Sequence, residues 1–199
     1  MILCGVDEAG RGPLAGPVTA AAVILSPLFP CDLLRDSKDL TPPQRERLFA
    51  LIREQAIAWA IGWASHLEID RINILQAAHL AMRRAVTALP HAADLTIVDG
   101  PILPAIGVPA RAVVKADATV PQVMAASILA KVARDRWMQA YSLIEPAYEF
   151  ELHKGYPTER HRAALLRYGP SPIHRRSFKG CSDHLDDEPG PAERDDSPE

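Results

Sequence analysis

Two adjacent carboxylates close a short apolar run at the start of the chain. Ile2-Leu3-Cys4-Gly5-Val6 reads as a buried strand, and Asp7-Glu8 follow it, leading into Ala9-Gly10-Arg11-Gly12-Pro13-Leu14-Ala15-Gly16-Pro17. Two further acids repeat the pattern: Asp99 follows the apolar run 95–98, and Asp117 comes shortly after the run 112–114. In an open α/β sheet the C-terminal ends of strands are where sites form. Carboxylates gathered there without His or Cys suit hard divalent cations, Mg²⁺ or Mn²⁺ in preference to zinc. Two such ions about 4 Å apart can activate a water and stabilise the leaving oxygen of an in-line phosphoryl displacement. Each acid also has a plainer reading. Asp7-Glu8 can be a solvated acidic turn, Asp99-Gly100 is a common turn pair, and Asp117 can open a helix. Neighbours on a regular strand point to opposite faces, so Asp7 and Glu8 share a site only where regularity lapses, which the glycines permit. Spacing alone leaves both readings open.

A nucleotide cofactor is excluded. Gly10-x-Gly12 with Gly16 comes close to a dinucleotide fingerprint, but the third glycine falls one position late. Pro13 and Pro17 interrupt the helix that should open there, and Asp7 and Glu8 would repel a pyrophosphate.

The elements that must position these acids follow from periodicity and caps. Residues 18–25 read as a second strand, close enough to the first to pair antiparallel with it. Thr41-Pro42-Pro43-Gln44 offers an N-cap, a proline at the first helical position and Gln at the third, so a helix is expected from there to about residue 55. Residues 57–64 complete an antiparallel meander. Ser65-His66-Leu67-Glu68 is a second capping box, and its helix carries Leu75, Met82, Val86 and Leu89 at helical spacing before Pro90. Strands at 95–98 and 112–114 alternate with helices, the next of which runs from the Thr119-Val120-Pro121-Gln122 cap to about residue 144. A last helix spans 158–168 and is stopped by Gly169-Pro170. The fold class expected is α/β, a mixed central sheet of a meander followed by strand–helix units, flanked by helices, with a C-terminal helical segment.

Composition is that of a soluble globular chain: 48% hydrophobic and 24% charged residues over a length that fits one domain. No apolar run reaches the roughly 18 residues of a membrane span, and the start lacks the regions of a signal peptide. The three cysteines, Cys4, Cys31 and Cys181, form no zinc motif and no disulfide frame, so a reducing cytoplasm is expected. The net charge of −3 conceals an asymmetry. Residues 183–199 hold eight of the 25 acidic residues and one of the 22 Lys and Arg, leaving 21 basic against 17 acidic groups and a net of +4 for residues 1–182. Residues 153–179 carry seven Lys or Arg and one Glu, which points to a polyanionic partner. The tail 183–199, with three prolines and almost nothing apolar, is expected to be disordered.

The run Asp7-Glu8-Ala9-Gly10-Arg11-Gly12-Pro13-Leu14-Ala15-Gly16-Pro17-Val18 resembles the opening of ribonuclease HII, the bacterial type 2 ribonuclease H. The similarity continues in order through Asp36-Ser37-Lys38-x-Leu40, Asp99-Gly100, Lys115-x-Asp117, Ala125-Ala126-Ser127-Ile128-Leu129-Ala130-Lys131-Val132-x-Arg134-Asp135, His153-Lys154-Gly155-Tyr156-x-Thr158 and His174-Arg175-x-Ser177-Phe178. One block could arise by chance; an ordered set across residues 2–180 is specific.

The resemblance implies a ribonuclease H-like fold in one catalytic domain, residues 1–182, with a helical substrate-binding segment at about 146–182. It implies a D-E-D-D site at Asp7, Glu8, Asp99 and Asp117 that takes Mn²⁺ or Mg²⁺, two ions during catalysis. The activity implied is endonucleolytic cleavage of RNA in RNA–DNA hybrids and 5′ to single ribonucleotides in duplex DNA, leaving 3′-hydroxyl and 5′-phosphate ends. Gly10, Arg11 and Gly12 would approach the 2′-hydroxyl, the group that separates RNA from DNA. Tyr156 would contact the ribonucleotide and pack on the following sugar. Ser37, Lys38, Arg175 and Arg176 are candidate phosphate contacts, which give affinity without sequence preference. A monomer is the expected state. The chain departs from the pattern at Asp39, where a second lysine is common, at Ala116, a frequent glycine, and at Met124. Asp135 is expected to pair within the fold, and the histidines show no ligand spacing. Two alternatives are a ribonuclease HIII-type enzyme, whose additional N-terminal domain has no room before Asp7, and a catalytically silent module that binds hybrid duplexes.

Overall fold

The computed structural model describes residues 1–34 and 39–181. Its organising element is β2 (Val18–Leu25), an eight-residue strand buried at every position. Alternate side chains go to opposite faces. Val18, Ala20, Ala22 and Ile24 pack against α2 (His66–Thr87) through Ala77, Ala78, Ala81 and Ala85. Ala21, Val23 and Leu25 pack against Leu48, Phe49 and Ile52 of α1 (Pro42–Gln55) and against Ala125, Ala126, Ile128 and Leu129 of α3 (Pro121–Ser142). The sheet is thus covered on both faces, and the many alanines bring the helices close.

β1 (Leu3–Ala9), β2 and β3 (Ala56–Ala64) form the expected antiparallel meander, and β4 (Leu95–Asp99) and β5 (Ala110–Val113) add in parallel beside β1, giving the order β3-β2-β1-β4-β5. Gly5 on β1 sets how α3 meets the sheet: a Cβ there would lie 2.1 Å from the Gln122 carbonyl carbon, so the start of α3 rests directly on the strand. Both predicted capping boxes form. Thr41 N–H donates to Gln44 Oε1 at 2.8 Å, and Ser65 N–H donates to Glu68 Oε2 at 2.9 Å. The C-terminal segment holds two short helices, α4 (Phe150–His153) and α5 (Glu159–Tyr168).

Several boundaries differ from expectation, among them β5, which spans Ala110–Val113 where 112–114 was expected. β1 continues through Asp7 and Glu8 to Ala9, because β2 goes on pairing with it as far as Ala9↔Thr19. α2 is broken at Asn73, whose φ is 65° and whose Oδ1 accepts the Gln76 N–H at 3.1 Å and so recaps the second stretch. α3 ends at Ser142, two residues early. Cys4, Cys31 and Cys181 are free thiols. Among the described residues no helix is long and apolar enough to cross a membrane.

Candidate active site

The site forms where the sheet runs out on one side. β1 pairs with β4 only from Leu3↔Leu95 to Val6↔Val98, while its pairing with β2 continues. Past Val6 the edge of β1 toward β4 is therefore open. Asp7 and Glu8 sit on this overhang in regular strand register, opposite Ala21 and Ala20. Their side chains do point to opposite faces: Asp7 to the α3 face, where Ser127 hydrogen-bonds it, and Glu8 to the α2 face beside His79 and Met82. The lapse in strand regularity that the sequence set as the condition for a shared site does not occur; with the neighbouring strand ended, both carboxylates border one cleft without it.

Asp99 is the last residue of β4. Its Oδ1 accepts the N–H groups of Ala116 at 2.7 Å and Asp117 at 3.3 Å, which ties the 3₁₀ turn Ala116–Ala118 to the strand end. Lys115 takes the left-handed conformation at φ 58° ahead of that turn, and Ala116 is fully buried. The alanine in place of a glycine thus falls where no positive φ is needed. Asp7, Glu8, Asp99 and Asp117 all line one cleft of about 520 Å³, together with Gly10, Arg11 and Gly12, and with Arg45, Ser127, Lys131 and Tyr156 on its other walls. A second cleft of about 560 Å³ lies over α1 between Leu33, Leu40, Leu48 and Leu51, but it gathers no such set of acids.

Electrostatics in the first cleft disfavours several carboxylate charges at once. Burial pushes the Asp7 carboxyl well above the usual carboxylate range, and the nearby charges of Glu8 and Asp99 push it further. Arg11, half exposed, meets Glu8 at 3.2 Å. The donor set is all oxygen, which fits Mg²⁺ or Mn²⁺. As the side chains stand they are held by protein donors: Asp7 Oδ1 accepts the Glu8 N–H at 2.7 Å, and Asp99 accepts two amides. Among the described residues no three His, Cys, Asp or Glu side chains are closed into a ready metal cage. The acids converge on one cleft; ligation would require them to exchange these donors for an ion.

The glycine-rich turn is held from below by two buried arginines. Arg175 Nη2 donates to the Gly10 carbonyl at 2.6 Å, Nη1 to Arg11 at 2.9 Å and Nε to Gly16 at 3.0 Å. Arg134 donates through Nε to Pro17 at 2.9 Å, through Nη2 to Ala15 at 3.0 Å and through Nη1 to Lys154 at 2.9 Å. Both side chains are fully buried. Desolvation lowers their pKa values to about 9 for Arg175 and about 10 for Arg134, so both stay charged at neutral pH. Gly10 has to be a glycine here: its φ is 96°, and a Cβ would lie 2.1 Å from Arg134 Nε.

The expected phosphate contact from Arg175 is corrected by this geometry, because its guanidinium is buried and spent on backbone carbonyls. Arg176, next to it, is exposed; its backbone N–H donates to Asp70 Oδ2 at 3.0 Å, and it does not line the cleft. Ser37 and Lys38, like the acidic tail, lie outside the described residues. Tyr156 does reach the cleft, 37% exposed, its Cε1 3.8 Å from where a Cβ on Gly12 would stand. Lys131 Nζ lies 5.4 Å from the Tyr156 ring centre and pairs with Asp135 at 2.9 Å, the internal partner expected for that acid. Sequence reasoning gave no role to Arg134, Ser127, Lys131 or Arg45. Arg134 was detectable, since it falls on the buried stripe of α3 between Ala130 and Met138.

The sequence model of the family described as Ribonuclease HII matches residues 4–181. The chain belongs to the ribonuclease HII family. It is 56% identical over 177 residues to ribonuclease HII of Nitrosococcus oceani, covering 89% of this chain and 88% of the relative. Ribonuclease HII of Azoarcus sp. is 54% identical over 188 residues, covering 94% and 92%. Among solved structures, ribonuclease H2 from Pyrococcus horikoshii superposes with a TM-score of 0.79 at 29% identity, covering 94% of this chain and 98% of that one. A ribonuclease HIII structure in complex with Mn²⁺ shares the fold at a TM-score of 0.76 and 18% identity, and this chain covers 70% of it. The mixed sheet with its flanking helices is thus the ribonuclease H-like fold. As a ribonuclease HII the chain is a metal-dependent endoribonuclease that acts on RNA–DNA hybrids.

Proposed function

We propose that the chain hydrolyses the RNA strand of hybrids and also incises duplex DNA 5′ to single embedded ribonucleotides, leaving 3′-hydroxyl and 5′-phosphate ends. The observation that carries this reading is the convergence of Asp7, Glu8, Asp99 and Asp117 on one cleft beside a glycine-rich turn and an exposed tyrosine ring. Those four carboxylates would hold the divalent ions, Mn²⁺ or Mg²⁺ and two in number, which supply an activated water and charge stabilisation for in-line displacement at phosphorus.

The remaining residues supply recognition. Gly10 and Gly12 add no side chain of their own on either side of Arg11, so backbone can approach a ribose and its 2′-hydroxyl, which is both donor and acceptor. Tyr156 offers a flat face beside Gly12 against which the sugar after the ribonucleotide can pack, which reads the RNA-to-DNA junction. Ser37, Lys38 and Arg176 are left as phosphate contacts, and Lys131 and Arg45 add positive charge at the cleft itself. The protein acts as a monomer in this reading, which light scattering in solution tests directly.

The deciding experiment is incision of duplex DNA carrying one ribonucleotide, with Mn²⁺, with Mg²⁺ and with chelator, the products sized and their ends identified. A single nick 5′ to the ribonucleotide that requires metal is the expected result. Tight binding with no nick in any metal condition would overturn the reading and favour a silent hybrid-binding module.

A further inference from the structure

Beneath the Tyr156 loop lies a group of buried histidines that neither the acidic cleft nor substrate contact uses. His161 is 0% exposed and His174 1%. The backbone N–H of Ser171 points at His174 Nδ1 from 2.8 Å, and the Ser171 hydroxyl lies at the same distance. An amide only donates, so Nδ1 of His174 is unprotonated and its proton is on Nε2. That nitrogen is 2.9 Å from Nε2 of His161, which must then accept, leaving the His161 proton on Nδ1. Nδ1 of His161 is 3.0 Å from the carbonyl oxygen of Tyr156, which only accepts. An amide at one end and a carbonyl at the other therefore fix both tautomers and the direction of the whole chain, from Ser171 through His174 and His161 to Tyr156.

We propose that His161 and His174 are positioning residues for Tyr156, holding its backbone so that the ring stands beside Gly12 in the cleft. The inference rests on the reading of Tyr156 as the residue that senses the ribonucleotide junction. The Tyr156 carbonyl accepts Thr158 N–H at 2.8 Å as well as His161 Nδ1–H, and its own N–H donates to the His153 carbonyl at 2.9 Å. His153 repeats the logic: it accepts Gly155 N–H at Nδ1, 3.2 Å away, so Nε2–H donates to the Tyr148 carbonyl at 2.7 Å, and its ring stacks on His161 at 4.4 Å. The surroundings favour neutral rings. Phe150 and Tyr148 pack on the pair, and the charged or titratable groups facing it are His153, His66 and Arg162, none of them acidic. Burial accordingly lowers His161 to about 4 and His174 to about 3.

The test compares incision rates at a single embedded ribonucleotide and on a long hybrid, as a ratio, since a loss of folded protein lowers both rates and leaves the ratio unchanged. His161→Leu should lower the ratio about five-fold, the factor of one neutral hydrogen bond. His161→Asn, whose amide can donate from nearly the position of Nδ1, should restore most of it. In a Tyr156→Ala background His161→Leu should leave the ratio where Tyr156→Ala alone puts it. Should the leucine variant not fold, ring ¹⁵N shifts of the unsubstituted protein decide: a proton on Nδ1 of His161 and on Nε2 of His174 supports the chain, and the opposite tautomer in either overturns it. An unmoved ratio in a folded His161→Leu, with the parent still nicking single ribonucleotides, overturns the positioning role alone. A parent that does not nick them overturns the junction reading, and this role with it.

Discussion

Asp7 is the residue on which the cleft's electrostatics turns. Its carboxylate is buried beside Glu8 and Asp99, an arrangement that disfavours the charge the chemistry needs unless a cation is present. Asp7→Asn keeps the shape and removes that burden. In chelator the variant should melt no lower than the parent. Added Mn²⁺ should raise the parent's melting temperature, by linkage of ion binding to the folded state, and raise the variant's by much less. Turnover should fall about a hundred-fold or more, the scale of losing one centre of transition-state charge stabilisation; an activity within a few-fold of the parent would remove Asp7 from the site. The four acids were legible because each sits near the end of an apolar run in a recognisable block. Arg175 was misread for a definable reason: in Arg175-Arg176 nothing in the residue types tells which guanidinium turns inward, and only the carbonyls of a turn some 160 residues away decide it.

Among the elements, the glycine-rich turn has little regular hydrogen bonding of its own, and the carbonyls of Gly10, Arg11, Ala15, Gly16 and Pro17 are met by the side chains of Arg134 and Arg175 instead. A lysine at 175 has one ammonium in place of a planar fork, so it cannot serve Gly10, Arg11 and Gly16 together. Arg175→Lys should therefore cost about 2–4 kcal/mol of stability, measured by urea unfolding, and turnover should drop on every substrate alike because the turn borders the whole cleft. A variant as stable as the parent would show that the turn holds its shape without the clamp. The histidine layer makes a second prediction for the same region. His161 and His174 have folded-state values of about 4 and 3, below the usual histidine value of 6.5. Above that value both rings are neutral folded or unfolded, and their contribution is fully present. Below it the unfolded chain takes up protons that the fold refuses, so stability falls as pH drops from 6.5 toward about 4 and then 3, by up to about 1.4 kcal/mol per pH unit for each ring. Glu68, held at about 2 mainly by hydrogen bonding to Arg84, adds a smaller loss of the same sign below its ordinary value of 4.5. Urea midpoints between pH 7 and 4 should show this slope, and His174→Gln should flatten it. Caps and periodicity located these helices well, because Thr41 and Ser65 carry their own boxes. The break at Asn73 was not legible, since an asparagine inside a helical pattern is far more often helical than left-handed.

At the scale of the whole molecule, the site comes from a mismatch in strand length: β1 outruns β4, and the acids of both strands and of the turn after β5 border the gap. The strand runs were readable one by one, whereas the register that leaves β1 overhanging is a property of the assembled sheet, which explains why the sequence left open how Asp7 and Glu8 could share a site. Charge is also distributed on this scale. Residues 1–182 carry a net of +4 and the whole chain −3, so residues 183–199 invert the sign that a polyanionic substrate meets at long range. The described fold closes before them, with Cys181 buried against Leu14 and Leu165. Removing 183–199 should leave turnover at saturating substrate unchanged, because no proposed ligand or contact lies there. Affinity for a hybrid duplex should rise at low salt and converge with the full chain's as salt screens the tail's charge. Fluorescence anisotropy across a salt series, run beside saturating turnover, separates the two effects. Equal affinities at every salt concentration would show that the tail's charge never bears on the duplex, and a fall in saturating turnover would place part of the catalytic apparatus beyond residue 182.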